Sequence, residues 1–155
     1  MDKVSTRPFR TEDASAFRDL NLAWIEAYFA VEALDRKLLE QPQAEIIDSA
    51  GAIEVAELEG VVVGVVALLY LSPGYYELAK MAVREDLHGH GIGHILMDSV
   101  LQRARKMKAR KLLIVSNSKL VGALHLYRKF GFNEIAVPQS KEYARADVMM
   151  ELYID

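Results

Sequence analysis

Six consecutive residues constrain the fold of this chain more than any others: His88-Gly89-His90-Gly91-Ile92-Gly93. They follow a strand-like run, Tyr75 to Val83. They precede a helical pattern, Gly91 to Met107, in which Ile92, Leu96, Val100, Ala104 and Met107 recur at spacings of three and four. Glycine lets a backbone turn through positive φ and leaves no Cβ in the way of a close ligand. Unpaired amides at the helix start then donate to an anion, assisted by the helix dipole. Two familiar phosphate loops do not fit the spacing. A dinucleotide fingerprint counted from Gly89 needs glycine where His94 stands, and one counted from Gly91 needs Gly or Ala where Leu96 stands. No Gly-Lys-Ser/Thr occurs, which removes a P-loop. On spacing alone the turn is either a phosphate cradle or a tight strand-to-helix connection.

The flanking sequence supplies a sheet for this turn to sit on. Val4 to Phe9 reads as extended. Phe17, Leu20, Trp24, Tyr28 and Val31 mark one helix from Ala14 to about Ala33, and a short helix from Leu34 to Glu40 follows, ending before Pro42. Ile53 to Leu58 alternates apolar and acidic residues like a half-buried strand. Glu59-Gly60 reads as a tight turn into Val61 to Leu71, a β-branched run expected to be buried on both faces. After the glycine-rich helix come a short strand, Lys111 to Val115, and a helix, Leu120 to Phe130, that stops at Gly131. Phe132 to Val137 and Tyr143 to Tyr153 read as closing strands. The sum is an α/β mixed sheet with helices on its faces, in one domain over residues 1–155.

Composition narrows the function. The net charge of −3 offers no general attraction to nucleic acid, and no recognition motif is present. With no cysteine in the chain, disulfides, cysteine zinc sites and thiol nucleophiles are all excluded. The longest apolar run is far short of the ~20 residues that span a membrane, and no secretory signal is evident. A cytoplasmic protein with no membrane or nucleic-acid partner is expected.

The stretch Leu78 to Gly93, with Gly91 and Gly93 in place, resembles the acetyl-CoA loop of the GCN5-related N-acetyltransferases (GNAT), of form Gln/Arg-x-x-Gly-x-Gly/Ala. His88 stands where that family has Gln or Arg. Downstream, Ile114-Val115-Ser116-Asn117 and Ala123 to Phe132, with Tyr127-Arg128-Lys129-Phe130-Gly131-Phe132, resemble the family's second motif of strand, Asn and Tyr-bearing helix. The resemblance covers Val55 to Ile135 best. It implies a sheet of about seven strands flanked by helices on both faces, with acetyl-CoA as cosubstrate and no metal. It also implies a small-molecule or peptide amine as acceptor. Relatives often form homodimers, although no feature here specifies an interface.

The resemblance also assigns residues. Met81, Ala82 and Val83 would pair with the pantetheine arm through their backbone. His88, Gly89, His90, Gly91, Ile92, Gly93 and His94 would surround the pyrophosphate. Asn117 would contact the cofactor, or serve instead as a turn residue or helix cap. Tyr127 is the candidate general acid, since a phenol of pKa ~10 is protonated at neutral pH; it also shares an apolar stripe with Leu120 and Leu124. Glu77 is the candidate base. On simple alternation it shares a strand face with Ala79, Met81 and Val83, where desolvation would raise its pKa. The missing thiol predicts direct transfer without an acyl-enzyme.

Other features are given less weight. His90 and His94 are spaced for one helix face, but nothing nearby completes a metal site. The basic run from Arg103 to Lys111 suits a solvated helix end. Glu32 and Asp35 are either attractors of a cationic amine or ordinary surface acids. A transferase for a longer acyl-CoA and a non-catalytic acyl-CoA-binding module remain the alternatives.

Overall fold

The computed structural model describes residues 3–139 and 141–155. Seven strands form one sheet: β1 Ser5–Pro8, β2 Ala52–Leu58, β3 Val61–Ser72, β4 Tyr75–Val83, β5 Lys111–Ser116, β6 Asn133–Ile135 and β7 Val148–Tyr153. Their order is β1-β2-β3-β4-β5-β7-β6, antiparallel except where β4 meets β5. Helices α1 (Ala14–Tyr28) and α2 (Ala33–Glu40) cover one face, and α3 (Ile92–Lys106) and α4 (Val121–Lys129) cover the other. No helix among the described residues is long and apolar enough to cross a membrane.

Each face has its own core. Phe17 and Ile25 of α1 and Leu38 and Leu39 of α2 pack on Val55, Val65 and Ala67. Leu96, Met97 and Val100 of α3 pack on Val66, Leu68 and Leu112 from the opposite side. Val63 to Leu68 of β3 are therefore buried whichever way they point, as a β-branched central strand requires. The β2–β3 turn has positive φ at both Glu59 and Gly60, the hairpin geometry that matches strand twist.

Three expectations are corrected. α1 ends at Tyr28 rather than near Ala33, and α2 starts afresh where the Asp35 carboxylate accepts the Glu32 amide at 2.9 Å. Of the α1 stripe, Phe17 is fully buried with Asn21 and Ile25, while Leu20 and Trp24 pack at the edge of that core and, with Tyr28, line the cleft. β2 is covered on both faces, because Glu54 tucks under α3 beside Ser99 and Arg103. The strand expected from Tyr143 begins only at Val148, and residues 141–147 instead cross to the α1–α2 side.

Candidate active site

A bulge in β4 creates the site. Along the β3–β4 ladder Val65 pairs with Ala82 and Ala67 with Ala79, so Lys80 and Met81 together oppose a single residue of β3. Lys80 takes a left-handed φ of 53°, which a side chain adopts at a cost of roughly 1–2 kcal/mol. The extra residue reverses the alternation beyond it. Glu77 therefore shares its face with Ala79 and Ala82, while Met81 and Val83 join the α3 core. This corrects the single-face reading of Glu77, Met81 and Val83.

β4 and β5 pair in parallel only from Tyr75–Lys111 to Glu77–Leu113. Beyond that point they part. A cleft of about 1000 Å³ opens between Leu78–Val83 on one wall and Ile114–Asn117 on the other. Its volume suits a large ligand. Met81, Ala82, Val83, His88, Gly89, Gly91, Ile92, Gly93, Asn117, Tyr127 and Glu77 all line it.

At one end lies the glycine turn. Gly91 has φ 82° and caps α3, and a Cβ added there would meet nothing within 4 Å, so the space beside it is open. Gly93 serves packing instead: its Cβ would come within 3.3 Å of Leu126 and 3.5 Å of Met81. The first helical bond runs from Ile95 N–H to Gly91 O at 3.1 Å. The amides of Ile92, Gly93 and His94 precede it and have no acceptor within the helix.

The three histidines are placed differently. His88 Nε2 bonds Val83 O at 2.8 Å, which ties the turn back to the end of β4. His90 lies outside the cleft wall, and its amide already donates to Leu87 O. The His94 ring stacks 4.7 Å from Phe130 and reaches Asp98 at 3.4 Å, leaving only its backbone at the turn. Among the described residues no group of His, Asp or Glu is placed to hold a metal ion.

Asn117 is a turn residue and a tether. Its Oδ1 accepts the Lys119 amide at 2.8 Å, and its Nδ2 donates to Arg145 O at 2.6 Å. Both ends of the side chain are thereby occupied. Tyr127 is buried beside Phe132, and burial pushes its pKa up to about 12. Among the described residues nothing hydrogen-bonds its hydroxyl.

Glu77 is only 3% exposed. Burial raises its pKa to about 8, aided by the charge and hydrogen bonding of the adjacent Glu142 carboxyl and opposed by Lys80. Its Oε1 has no hydrogen-bond partner among the described residues. A buried polar atom without a partner is costly, and a ligand that supplies one is rewarded.

Beside Glu77 lies an ion cluster that sequence reasoning missed. Lys80 Nζ donates to Asp35 at 2.6 Å and to the Tyr143 hydroxyl at 3.1 Å. Arg145 clasps Asp35 with two bonds, 2.8 and 2.7 Å, and Glu32 accepts the Ala144 amide at 3.0 Å. Burial alone would raise the Asp35 carboxyl, but the bonds from Arg145, Lys80 and the Glu32 amide outweigh it and hold the pKa at about 2. Asp35 is neither an amine attractor nor a surface acid. It is the buried anchor that fixes residues 141–147 over the cleft. Arg145 continues the cleft wall, stacking on Tyr143 at 4.3 Å and standing 5.7 and 5.6 Å from the Trp24 and Phe29 rings.

Known proteins match this architecture. The chain is 30% identical over 129 residues to the amino-acid acetyltransferase of Mycobacterium tuberculosis, covering 83% of this chain and 68% of that one. It is 30% identical over 109 residues to the N-acetyltransferase YvbK of Bacillus subtilis, covering 68% and 70%. A GNAT-family acetyltransferase of Staphylococcus aureus superposes with a TM-score of 0.88 at 18% identity, covering 99% of this chain and 100% of that one. YncA of Salmonella typhimurium, solved with acetyl-CoA, superposes at 0.78 with 20% identity, covering 99% and 95%. The sequence model of the acetyltransferase (GNAT) family matches residues 15–132, a span that runs from α1 through the glycine turn and Tyr127, and this chain belongs to that family.

Proposed function

We propose that this chain is an acetyl-CoA-dependent N-acetyltransferase that moves the acetyl group directly to a primary amine in a ternary complex. The observation that carries the reading is the parting of β4 from β5 beside an open helix start. Backbone groups of β4 from Ala79 to Ala82 have no β5 partner there and lie along the cleft, available to an extended amide-bearing chain such as pantetheine, while the Val83 carbonyl is held by His88. The amides of Ile92, Gly93 and His94 lie at the other end for the pyrophosphate. The relatives solved with acetyl-CoA or CoA have the same fold.

Acetyl-CoA supplies the thioester. Glu77 accepts the proton of the acceptor amine, freeing the nitrogen lone pair to form the new amide as the C–S bond breaks. A carboxyl near pKa 8 is a far stronger base than an exposed one. Tyr127 hydrogen-bonds the departing sulfur. With a pKa of about 12, its full proton transfer to a thiolate of pKa ~8.5 is uphill, so its main contribution is to stabilise developing charge. The chain has no cysteine to form a thioester intermediate.

Free-thiol release from acetyl-CoA, assayed across a panel of amines, tests the reading. Tyr127→Phe should lower kcat roughly 10- to 100-fold with the acetyl-CoA KM nearly kept. kcat/KM should rise with pH through about 8, and Glu77→Gln should remove that rise. Tight acetyl-CoA binding with no turnover of any amine would instead favour a binding module.

A further inference from the structure

The acceptor end of the cleft is electrically divided. On one side stand the carboxyl pair of Glu77 and Glu142, with Glu77 Oε1 lacking a partner. Lys119, on the β5–α4 loop, lines the same cleft, its ammonium 5.6 Å from the Phe29 ring at the end of α1. Most of the remaining charges that line the cleft are paired, and Glu85 stands beside the glycine turn rather than at this end. Asp35 and Glu32 balance Lys80 and Arg145, Asp19 pairs with Arg18, and Arg84 pairs with Asp86. Among the described residues no carboxylate pairs with the Lys119 ammonium. Its ammonium lies near the Phe29 ring, and its backbone amide donates to Asn117. Asn117 also binds Arg145 O, so the loop that carries Lys119 is locked to the acceptor wall rather than to the glycine turn.

We infer that the acceptor carries a carboxylate as well as its amine, as an amino acid does, and that Lys119 selects it. This rests on the transferase reading above. The two poles match the two ends of a zwitterion: the acidic pair takes the amine and the lysine takes the carboxylate. The aromatic edges of Trp24, Tyr28 and Phe29 between them accommodate an apolar side chain. The same polarity disfavours a polyamine, whose second cation would meet Lys119. Clefts walled by low-dielectric groups focus such fields, and salt weakens them.

The test compares matched acceptors that differ only in the carboxylate, phenylalanine with phenethylamine and tyrosine with tyramine. The readout is the ratio of their kcat/KM values in wild type, Lys119→Arg, Lys119→Ala and Lys119→Glu. Comparing ratios between variants cancels differences in amine basicity. Wild type and Lys119→Arg should favour the carboxylated member about tenfold; Lys119→Ala should bring the ratio near one and Lys119→Glu below it, the scale of one charge-assisted contact. Turnover of both classes without preference in wild type overturns the carboxylate assignment and leaves the transferase reading standing. A ratio unmoved by Lys119→Glu, or moved only together with a weakened acetyl-CoA Kd, overturns the role of Lys119. No thiol release from any acceptor overturns both readings.

Discussion

The end of the cleft around Gly91 is made of consecutive residues and backbone amides, whereas the end around Asp35 is made of side chains brought together across 45 residues to Lys80 and 110 to Arg145. The first needs only a strand, a turn and a helix in order. The contacts proposed for it are generic to any backbone, so its exposed side chains are replaceable, whereas Gly91 is constrained by its φ of 82° and Ile92 by burial in the core. The second depends on a bulge, on α1 breaking at Phe29 and on residues 141–147 crossing the sheet end. Asp35 and Lys80 are desolvated and Arg145 nearly so, and each therefore depends on its partners. Substitutions at the acceptor end should therefore cost stability, and those at the glycine turn should cost mainly ligand affinity.

The sharpest way to break this contrast is Asp35→Ala. It leaves Lys80 and Arg145 buried without their shared anion, and about 3–5 kcal/mol of stability should be lost in urea unfolding. A loss below about 1 kcal/mol would mean that residues 141–147 lift away and water replaces Asp35.

Titration gives the next effect. Glu77 has a folded pKa raised from 4.5 to about 8, so its contribution is fully present below about 4.5 and is lost as pH rises through about 8. Asp35 has a folded pKa lowered from 3.8 to about 2, so its contribution is present above 3.8 and is lost as pH falls toward 2. Between pH 5 and 8.5 wild type should lose roughly 4 kcal/mol more than Glu77→Gln, followed as urea midpoints. Parallel profiles would show that Glu77 ionises freely in the folded protein.

At the glycine turn the effects are smaller. Gly91→Ala meets no steric neighbour but forces a side chain to φ 82°, for a loss of about 1–2 kcal/mol. Its Cβ also enters the open space beside α3, so acetyl-CoA affinity should fall, as calorimetry would detect. Gly122→Ala, in helical φ/ψ and with nothing within 4 Å, should instead stabilise by about 0.5 kcal/mol. His88→Gln should change least. The imidazole already bonds Val83 O, so acetyl-CoA affinity should show the same pH profile between 5.5 and 7.5 in both proteins. A dependence confined to wild type would give His88 a direct phosphate contact.

What was legible in advance follows the same division. The order of strands and helices, the glycine turn and the Tyr127 helix are encoded by periodicity and local residue type, and each appears where the sequence placed it. The reading of Glu77 was right about burial and wrong about its companions, because one inserted residue at Lys80 reverses strand alternation without leaving a mark in composition. His88, His94 and Asn117 have the chemistry of ligand-binding side chains, yet one ring nitrogen of each histidine and both polar atoms of Asn117 have partners that local sequence pattern does not reveal. A positive φ at a lysine has no sequence signature, and neither does the meeting of Asp35, Lys80 and Arg145.

By itself, then, the sequence determined the scaffold and the cofactor end: apolar spacing sets which face of each element is buried, and glycine fixes where the backbone can turn with no Cβ. Tertiary structure alone decided the acceptor end. Hydrogen bonds between residues far apart in the chain, and the loss of water around buried charges, leave no periodic trace along it. They make Asp35 a structural anchor, raise the pKa of the Glu77 carboxyl to about 8 and leave Lys119 without an anionic partner among the described residues.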